Sequence, residues 1–170
     1  MFKQKPYLIV FEGVEGCGKS YQVKKLINNL KKKKIRTVLT REPGGTRSAE
    51  SIRSLILKDY FNKGKDEKFD KYTDTLLYLA ARNEHIKNKI KPALKDKKII
   101  VCDRFIDSTL AYQVHGKKVN KFFIDNIHKY ILKGVKVNLT FILKVSSRAS
   151  QLRLKKRKTK NRYDNFSKSF

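Results

Sequence analysis

Cysteine, proline and tryptophan are scarce in this sequence. Its 170 residues include two cysteines, three prolines and no tryptophan. Two cysteines, Cys17 and Cys102, are too few for a disulfide framework or a cysteine-ligated metal cluster, so we expect a reduced, cytoplasmic setting. No apolar run approaches the roughly 20 residues that span a bilayer, and the run before Glu12 does not resemble a signal peptide. These absences exclude disulfide-rich secreted modules and predict a chain that does not enter the membrane.

Acidic residues are also few. The chain has 15 Asp and Glu residues against 42 Lys and Arg residues, which gives a formal net charge of +27 at pH 7. Such an excess is typical of proteins that bind nucleic acid or an anionic surface. Lysine dominates runs such as 31–34, however, and no aromatic side chain for base stacking is interleaved with them. Solvated lysine-rich helix faces are therefore favoured, and nucleic-acid binding stays open as an alternative.

Strand-like and helix-like segments alternate along the chain. Short runs at 7–11, 36–40, 99–102 and 137–143 predict strands. Apolar residues at helical spacing predict helices between them, the longest over residues 72–94. Turn-forming or polar residues predict loops at 43–45 and 62–70. Because strands that alternate with helices form parallel sheets, we predict a single α/β domain over residues 1–170, with helices on both faces of the sheet.

A glycine-rich segment directly follows the first predicted strand. Residues 13–20 read Gly-Val-Glu-Gly-Cys-Gly-Lys-Ser, and a helical pattern begins after them. The glycines allow backbone N–H groups to converge on phosphate oxygens at a helix N-terminus. Lys19 is then placed to reach the β- and γ-phosphates, and the Ser20 hydroxyl to bind Mg²⁺. The pattern predicts a P-loop NTPase-type sheet that binds a nucleoside triphosphate, and it leaves the phosphoryl acceptor open.

Charged residues follow two further predicted strands, at the sheet edge where ligands bind in such folds. Asp103 ends the third strand, where a carboxylate can complete the magnesium shell. Arg104 is the next residue, and Arg41 and Glu42 end the second strand. With Arg53 one helix further on, these guanidinium groups are suited to bidentate binding of a phosphate. For each arginine alone, an ordinary surface position is the alternative.

The long predicted helix carries a second candidate site. Asp74, Tyr78, Arg82 and His85 are spaced at i, i+4, i+8 and i+11, which places them on one helix face. A tyrosine ring that stacks on a nucleobase and a guanidinium that donates to its carbonyl oxygen would need such a pair. The residues alone leave two interpretations open: a nucleobase pocket, or a core tyrosine beside a surface arginine.

Four segments together resemble the bacterial thymidylate kinase family. They are FEGVEGCGKS at 11–20, TREPGGT at 40–46, LLYLAAR at 76–82 and DRFIDSTLAYQ at 103–113. Their order and spacing are those of the family, and the likeness extends over residues 7–166. The resemblance implies a nucleoside monophosphate kinase-like fold and the ATP-dependent conversion of dTMP to dTDP, with Mg²⁺, by a homodimer.

The resemblance also implies roles at matched positions. Tyr78 corresponds to the aromatic residue that stacks on thymine, Arg82 would hold a thymine carbonyl, and Gln113 would contact the base. The metal ligands would be Ser20 and Asp103, and the catalytic residues would include Lys19 and Asp103. We expect ATP to contact Gly13, Val14, Glu15, Gly16, Cys17, Gly18, Lys19 and Ser20. We expect dTMP to contact Glu15, Arg41, Glu42, Arg53, Tyr78, Arg82, Arg104 and Gln113.

A basic segment at about 148–166 resembles the lid of that family. Phosphoryl transfer between two anions needs cations that arrive when the site closes, and none of the variable P-loop positions is cationic. The resemblance implies that Arg153 or Arg157 reaches the transferring phosphoryl group. The resemblance also implies a helix, a strand and a helix beyond the lid, which this sequence does not include. A fragment of a longer kinase or a non-catalytic nucleotide-binding remnant is therefore a further alternative.

Overall fold

A four-stranded parallel sheet organises residues 5–57 and 68–156, the part of the chain that the computed structural model describes. The strands are β1 (Tyr7–Gly13), β2 (Thr37–Arg41), β3 (Ile99–Asp103) and β4 (Leu139–Leu143). Their order in the sheet is β2-β3-β1-β4, and every neighbouring pair is parallel. This confirms the predicted α/β class and all four predicted strands.

Helices connect the strands and cover both faces of the sheet. They are α1 (Lys19–Lys32), α2 (Arg47–Leu57), α3 (Lys71–His85), α4 (Lys91–Lys95), α5 (Ile106–Thr109), α6 (Lys121–Ile131) and α7 (Ser147–Lys155). Helix α3 continues without a break through a π-helical turn, Ile86–Ile90, into α4, so the long predicted helix is confirmed. Helix α5 likewise continues into a π-helical segment, Leu110–Gly116, which the sequence pattern did not predict.

Strand β1 is buried on both faces, as its continuous apolar run predicted. Leu8 and Val10 pack in one cluster with the π-helical turn after α3, whereas Ile9 and Phe11 pack on the opposite face against α1. Burying an apolar side chain of this size contributes about 1.5–3 kcal/mol. The central strand is thereby fixed between two helical layers, and so is the loop that follows it.

The register of the sheet aligns the carboxyl ends of three strands. Phe11 and Arg41 both pair with Asp103, on either side of β3. The residues that follow β1, β2 and β3 therefore emerge side by side at one edge of the sheet.

The polar segment predicted as a loop is described only in part. Residues 62–67 lie outside the described residues, and residues 68–70 have no regular structure. Asp70 caps the start of α3, because its carboxylate accepts a hydrogen bond from the Tyr72 N–H at 2.7 Å. Over the described ranges, no helix combines the length and the apolar character that crossing a bilayer requires.

Candidate active site

A cavity of about 410 Å³ opens at the carboxyl ends of β1, β2 and β3. P-loop residues form one wall, and residues of α2, α3 and the π-helical segment after α5 form the other. Thus the two candidate sites predicted from the sequence share one cavity. Its lining includes Glu15, Gly16, Gly18, Lys19, Ser20, Arg41, Glu42, Arg53, Tyr78, Arg82, Asp103, Arg104, Tyr112, Gln113 and Arg153.

The P-loop wraps around the side chain of Lys19. A Cβ atom on Gly13 would lie 2.5 Å from the Leu143 carbonyl oxygen, so only glycine fits where the loop leaves β1. The Lys19 ammonium donates to the carbonyl oxygens of Gly13 and Val14 at 2.9 Å each. Burial and then the nearby Arg104 lower the pKa of Lys19 from its ordinary value. The loop therefore holds its lysine inside the cavity.

Ser20 and Asp103 meet at the start of α1. The Ser20 hydroxyl donates to Asp103 Oδ2 at 2.9 Å, which joins the first turn of α1 to the end of β3. Within the described ranges, no group of three or more His, Cys, Asp or Glu residues is placed to hold a metal ion. Mg²⁺ is typically bound by one or two protein oxygens together with water and substrate phosphates. The hydroxyl and the carboxylate fit that coordination.

Arg104 is fixed by contacts on several sides. Its backbone has φ +72°, in the left-handed region that non-glycine residues rarely adopt. Its guanidinium donates to Glu15 Oε1 at 2.7 Å and to Ser108 Oγ at 2.9 Å, and it lies 5.4 Å from the ring centroid of Tyr112. Burial alone would lower the pKa of Arg104, but Tyr112, Glu15 and Glu12 outweigh burial and raise it. Arg104 is a permanent, oriented cation in the cavity wall.

Glu12 supports the cavity wall from the interior, and sequence reasoning gave it no role. Its carboxylate accepts hydrogen bonds from the Phe105 N–H at 2.7 Å, the Ser108 N–H at 3.3 Å and the Ser108 hydroxyl at 2.6 Å. These bonds satisfy N–H groups at the start of α5, which its own helix cannot pair. The signal was an acidic residue at the end of an otherwise apolar strand.

Arg82 lies in the interior, so the alternative of a surface arginine is wrong. It is 3% exposed, and its Nε donates to Glu42 Oε2 at 2.7 Å. Its other two nitrogens bond to His128 Nε2 at 2.7 Å and to the Phe105 carbonyl oxygen at 2.9 Å. Only part of the guanidinium faces the cavity.

Glu42 bonds protein partners with both carboxylate oxygens. Besides Arg82, it accepts from His85 Nδ1 at 2.9 Å, and His85 Nε2 lies 2.6 Å from the Thr40 hydroxyl. Burial alone would raise the pKa of Glu42, but the charge of Arg82 and the hydrogen bond from His85 lower it below its ordinary value. The structure therefore places the Glu42 carboxylate where it supports Arg82.

The arginines at the other side of the cavity differ in burial. The Arg41 side chain is 55% exposed and forms an ion pair with Glu50 at 3.0 Å, at the rim. Arg53 is partly buried and donates to the Pro43 carbonyl oxygen at 2.6 Å. Burial and then the charge of Arg41 lower the pKa of Arg53 from its ordinary value. Arg41, Arg53 and Arg104 all line the cavity, and Arg41 is the most exposed of the three.

The cavity wall formed by α3 and the π-helical segment after α5 contains an amide donor. Gln113 is 1% exposed, and its Nε2 has no hydrogen-bond partner among residues 5–57 and 68–156. Tyr78 of α3 lines the same region, as does Tyr112, to which sequence reasoning gave no role. A buried amide nitrogen suits a ligand that presents an acceptor oxygen.

Helix α7 packs directly on the P-loop. The Ser150 hydroxyl donates to the Glu15 carbonyl oxygen at 2.7 Å, and Arg153 Nη1 donates to the Gly16 carbonyl oxygen at 3.0 Å. The predicted lid thus begins in contact with the phosphate-binding loop. Arg157, the other candidate lid arginine, lies outside the described residues.

Comparison with known families identifies relatives of this chain. The sequence profile of the thymidylate kinase family matches residues 11–170. A thymidylate kinase of Wolbachia pipientis subsp. Culex pipiens is 42% identical over 164 residues, which are 95% of this chain and 74% of the relative. One of Dehalococcoides mccartyi is 42% identical over 145 residues, covering 85% of this chain and 67% of the relative.

A solved structure supports the same relationship. The crystal structure of thymidylate kinase from Ehrlichia chaffeensis superposes with a TM-score of 0.73 at 38% sequence identity, covering 88% of this chain and 82% of that chain. These relatives are named as kinases, so they give no support to the nucleic-acid-binding alternative.

Proposed function

The chain belongs to the thymidylate kinase family, and on that premise we propose that it transfers the γ-phosphoryl group of ATP to dTMP. A phosphate oxygen of dTMP attacks the γ-phosphorus, the bond from that phosphorus to the bridging β–γ oxygen breaks, and the products are dTDP and ADP. The observation that carries this proposal is the single cavity lined both by the P-loop and by Tyr78, Arg82 and Gln113.

The donor side of the cavity is suited to the triphosphate of ATP. The N–H groups of residues 13–20 and the positive end of α1 favour phosphate oxygens, and Lys19 adds a cation within the loop. Ser20 and Asp103 would hold Mg²⁺, which neutralises charge on the phosphates when bound.

The acceptor side is suited to a pyrimidine nucleoside monophosphate. Arg53 and Arg104 are partly buried cations that would bind the phosphate of dTMP, and Glu15 fixes one side of Arg104. Tyr78 would stack on thymine, while Arg82 and Gln113 would donate to its carbonyl oxygens. Arg41 would add a cation at the rim of the cavity. Glu42 would contribute through its ion pair with Arg82.

Helix α7 would deliver the remaining cation. In the proposed single kinase domain, the lid at about 148–166 closes over the γ-phosphate of ATP and the phosphate of dTMP. Arg153 already lies beside Gly16 of the P-loop. Arg153 or Arg157 would then stabilise the charge on the transferring group, as arginine fingers of GTPases do with a gain of about 10³–10⁵ in kcat.

A coupled assay of ADP release with ATP, Mg²⁺ and dTMP tests the function. We expect dTDP formation by the wild-type chain and a loss of at least about 10-fold in kcat for Asp103→Asn, with a raised Mg²⁺ requirement, because a metal-facing carboxylate is removed. Asp107→Asn is the matched control, since Asp107 is exposed on α5. No dTDP from wild-type protein would refute the proposal, and equal activities of the two variants would refute the role of Asp103.

We further propose that the protein is a cytoplasmic homodimer. Support for pairing comes from exposed apolar side chains on α3 and α6, among them Leu76, Phe122 and Tyr130. Support for a reducing compartment comes from Cys17 and Cys102, both free and buried. Sedimentation equilibrium of wild type and Phe122→Lys tests pairing. The lysine variant should be shifted toward monomer.

A further inference from the structure

The guanidinium of Arg82 is held by three elements at once. Its Nε bonds to Glu42 at the end of β2, its Nη2 to the Phe105 carbonyl oxygen after β3, and its Nη1 to His128 on α6. These bonds use three of its five N–H donors. The hydrogen bonds that the described residues make with Arg82 leave one further N–H on Nη1 and one on Nη2. Arg82 can therefore offer two donors to a ligand in the cavity.

His128 forms a hydrogen bond with Nη1, one of the two nitrogens that carry these donors. It is 6% exposed, and its Nε2 lies 2.7 Å from Arg82 Nη1. A guanidinium donates hydrogen bonds and never accepts them, so Nε2 must be the acceptor. The proton of the neutral ring must then lie on Nδ1. His128 is not among the residues that line the cavity, and its hydrogen bond to Arg82 connects it to one of them.

We propose that His128 is a positioning residue for nucleobase recognition, which fixes the Arg82 fork so that its two remaining donors face a carbonyl oxygen of the base. The inference rests on the proposed function, because the base is that of dTMP. A planar fork that is held on three sides loses little entropy when it binds. Two fixed donors also favour a base with a carbonyl group over a base with a ring amino group. An amino group at that position would place its own N–H donors against those of Arg82.

Loss of His128 would act on binding more than on phosphoryl transfer. Without the acceptor Nε2, the buried N–H of Nη1 has lost its hydrogen bond. Rotation of the guanidinium toward another acceptor would then lower the free energy. The groups at the phosphates, Lys19, Asp103 and Arg104, make no hydrogen bond to His128. A variant should therefore show a raised KM for dTMP with a nearly constant kcat, which is the signature of lost uniform binding.

Three variants separate positioning from general damage. His128→Leu removes the acceptor, His128→Gln retains an acceptor oxygen at the end of a similar reach, and His115→Leu makes the same change at an exposed histidine. The Kd for dTMP is measured by calorimetry, together with KM and kcat for dTMP and for dCMP, whose ring carries an amino group. For His128→Leu we expect a Kd and a KM for dTMP raised about 10-fold or more, a reduced preference for dTMP over dCMP, and a kcat within about 3-fold of wild type. His128→Gln should recover most of the affinity, and His115→Leu should match wild type.

The outcomes distinguish this inference from the proposed function. Binding of dTMP without transfer by the wild-type chain would refute only the kinase function, and the Kd comparison would still test His128. No binding of dTMP by wild-type protein would overturn both. An unchanged Kd in His128→Leu, or no recovery in a folded His128→Gln, would overturn the role of His128. If His128→Leu does not fold, long-range ¹H–¹⁵N NMR of wild-type protein decides, since a proton on Nε2 of His128 would overturn the assignment.

Discussion

At the scale of single residues, the acceptor side of the cavity depends on buried charges that support one another. Glu42 and Arg82 are 5% and 3% exposed, and either charge alone would be strongly destabilising in the interior. Removing one partner of such a pair typically costs about 3–5 kcal/mol, because the other charge remains buried. His85 and His128 extend the pair on both sides. The site is therefore built into the core and not added to the surface.

His128 should make stability depend on pH. Burial and then the charge of Arg82 lower its pKa to about 4, whereas an unfolded histidine has a pKa of about 6.5. Between these values the unfolded chain binds more protons, so stability from this group is complete above about pH 6.5 and is lost as pH falls toward 4. The loss should approach roughly 3 kcal/mol. Urea unfolding of wild type and His128→Gln from pH 7 to pH 4 measures it.

The glutamine variant supplies the comparison for that experiment. It retains an acceptor for Arg82 but does not titrate, so its free energy of unfolding should fall less steeply below about pH 6.5. Charged neighbours of His128 that also influence its proton are Arg82, Glu42, Asp125 and Lys121, and they are the same in both proteins. Equal slopes for the two proteins would contradict the assignment of the pH dependence to His128.

At the scale of elements, two helices of the site depend on contacts from distant parts of the chain. Helix α5 and the π-helical segment after it carry Tyr112 and Gln113, and Glu12 of β1 bonds the N–H groups at their start. Helix α7 lies on the P-loop through Ser150 and Arg153. Their positions are consequences of the sheet, because β1 precedes the P-loop and β4 precedes α7.

Gly16→Ala should loosen the contact between α7 and the P-loop. Gly16 has φ +72°, and a Cβ atom there would lie 3.0 Å from the Ser150 carbonyl oxygen. We expect backbone strain to lower the free energy of unfolding by about 1–2 kcal/mol. Hydrogen exchange in residues 147–155 should be faster. The KM for ATP should rise several-fold, which corresponds to about 1 kcal/mol of binding free energy. Exchange mass spectrometry and steady-state kinetics measure these effects.

Gly134→Ala is the matched control for that prediction. Gly134 has φ +77°, and no atom lies within 4 Å of the position that its Cβ would take. The control should show the same strain penalty without faster exchange in α7 or a changed KM for ATP. If both variants alter α7 equally, the close approach of Gly16 to Ser150 does not position the helix.

At the scale of the whole molecule, the net charge of +27 acts on the folded state as self-repulsion. Salt shortens the range of this repulsion, from about 30 Å at 0.01 M to about 3 Å at 1 M. We therefore expect the midpoint of urea unfolding to rise with NaCl concentration, even though salt also weakens ion pairs such as Arg41–Glu50. Circular dichroism in urea, which is uncharged, measures the midpoint. A midpoint that falls with NaCl would show that attractive pairs outweigh the repulsion.

Much of the architecture could be predicted because it depends on local pattern. The run in β1 is apolar at every position, which predicts a strand buried on both faces, and the helical spacing from α3 through α4 is long and regular. Helix α5 and the segment after it were not predicted, since they are short and rely on Glu12, which is 93 residues away from Phe105 along the chain. A pattern within 11 residues carries no sign of that contact.

The sequence by itself determined the sheet, the P-loop and the residues that surround the cavity, because strand burial and a phosphate-binding loop are encoded in adjacent residues. The tertiary structure decided which way those side chains face. It brought Ser20 to Asp103, turned Glu42 inward toward Arg82, and placed His128 behind the guanidinium. These pairs are 83, 40 and 46 residues apart along the chain. Only the register of the sheet and the packing of α3 against α6 bring them within hydrogen-bond distance.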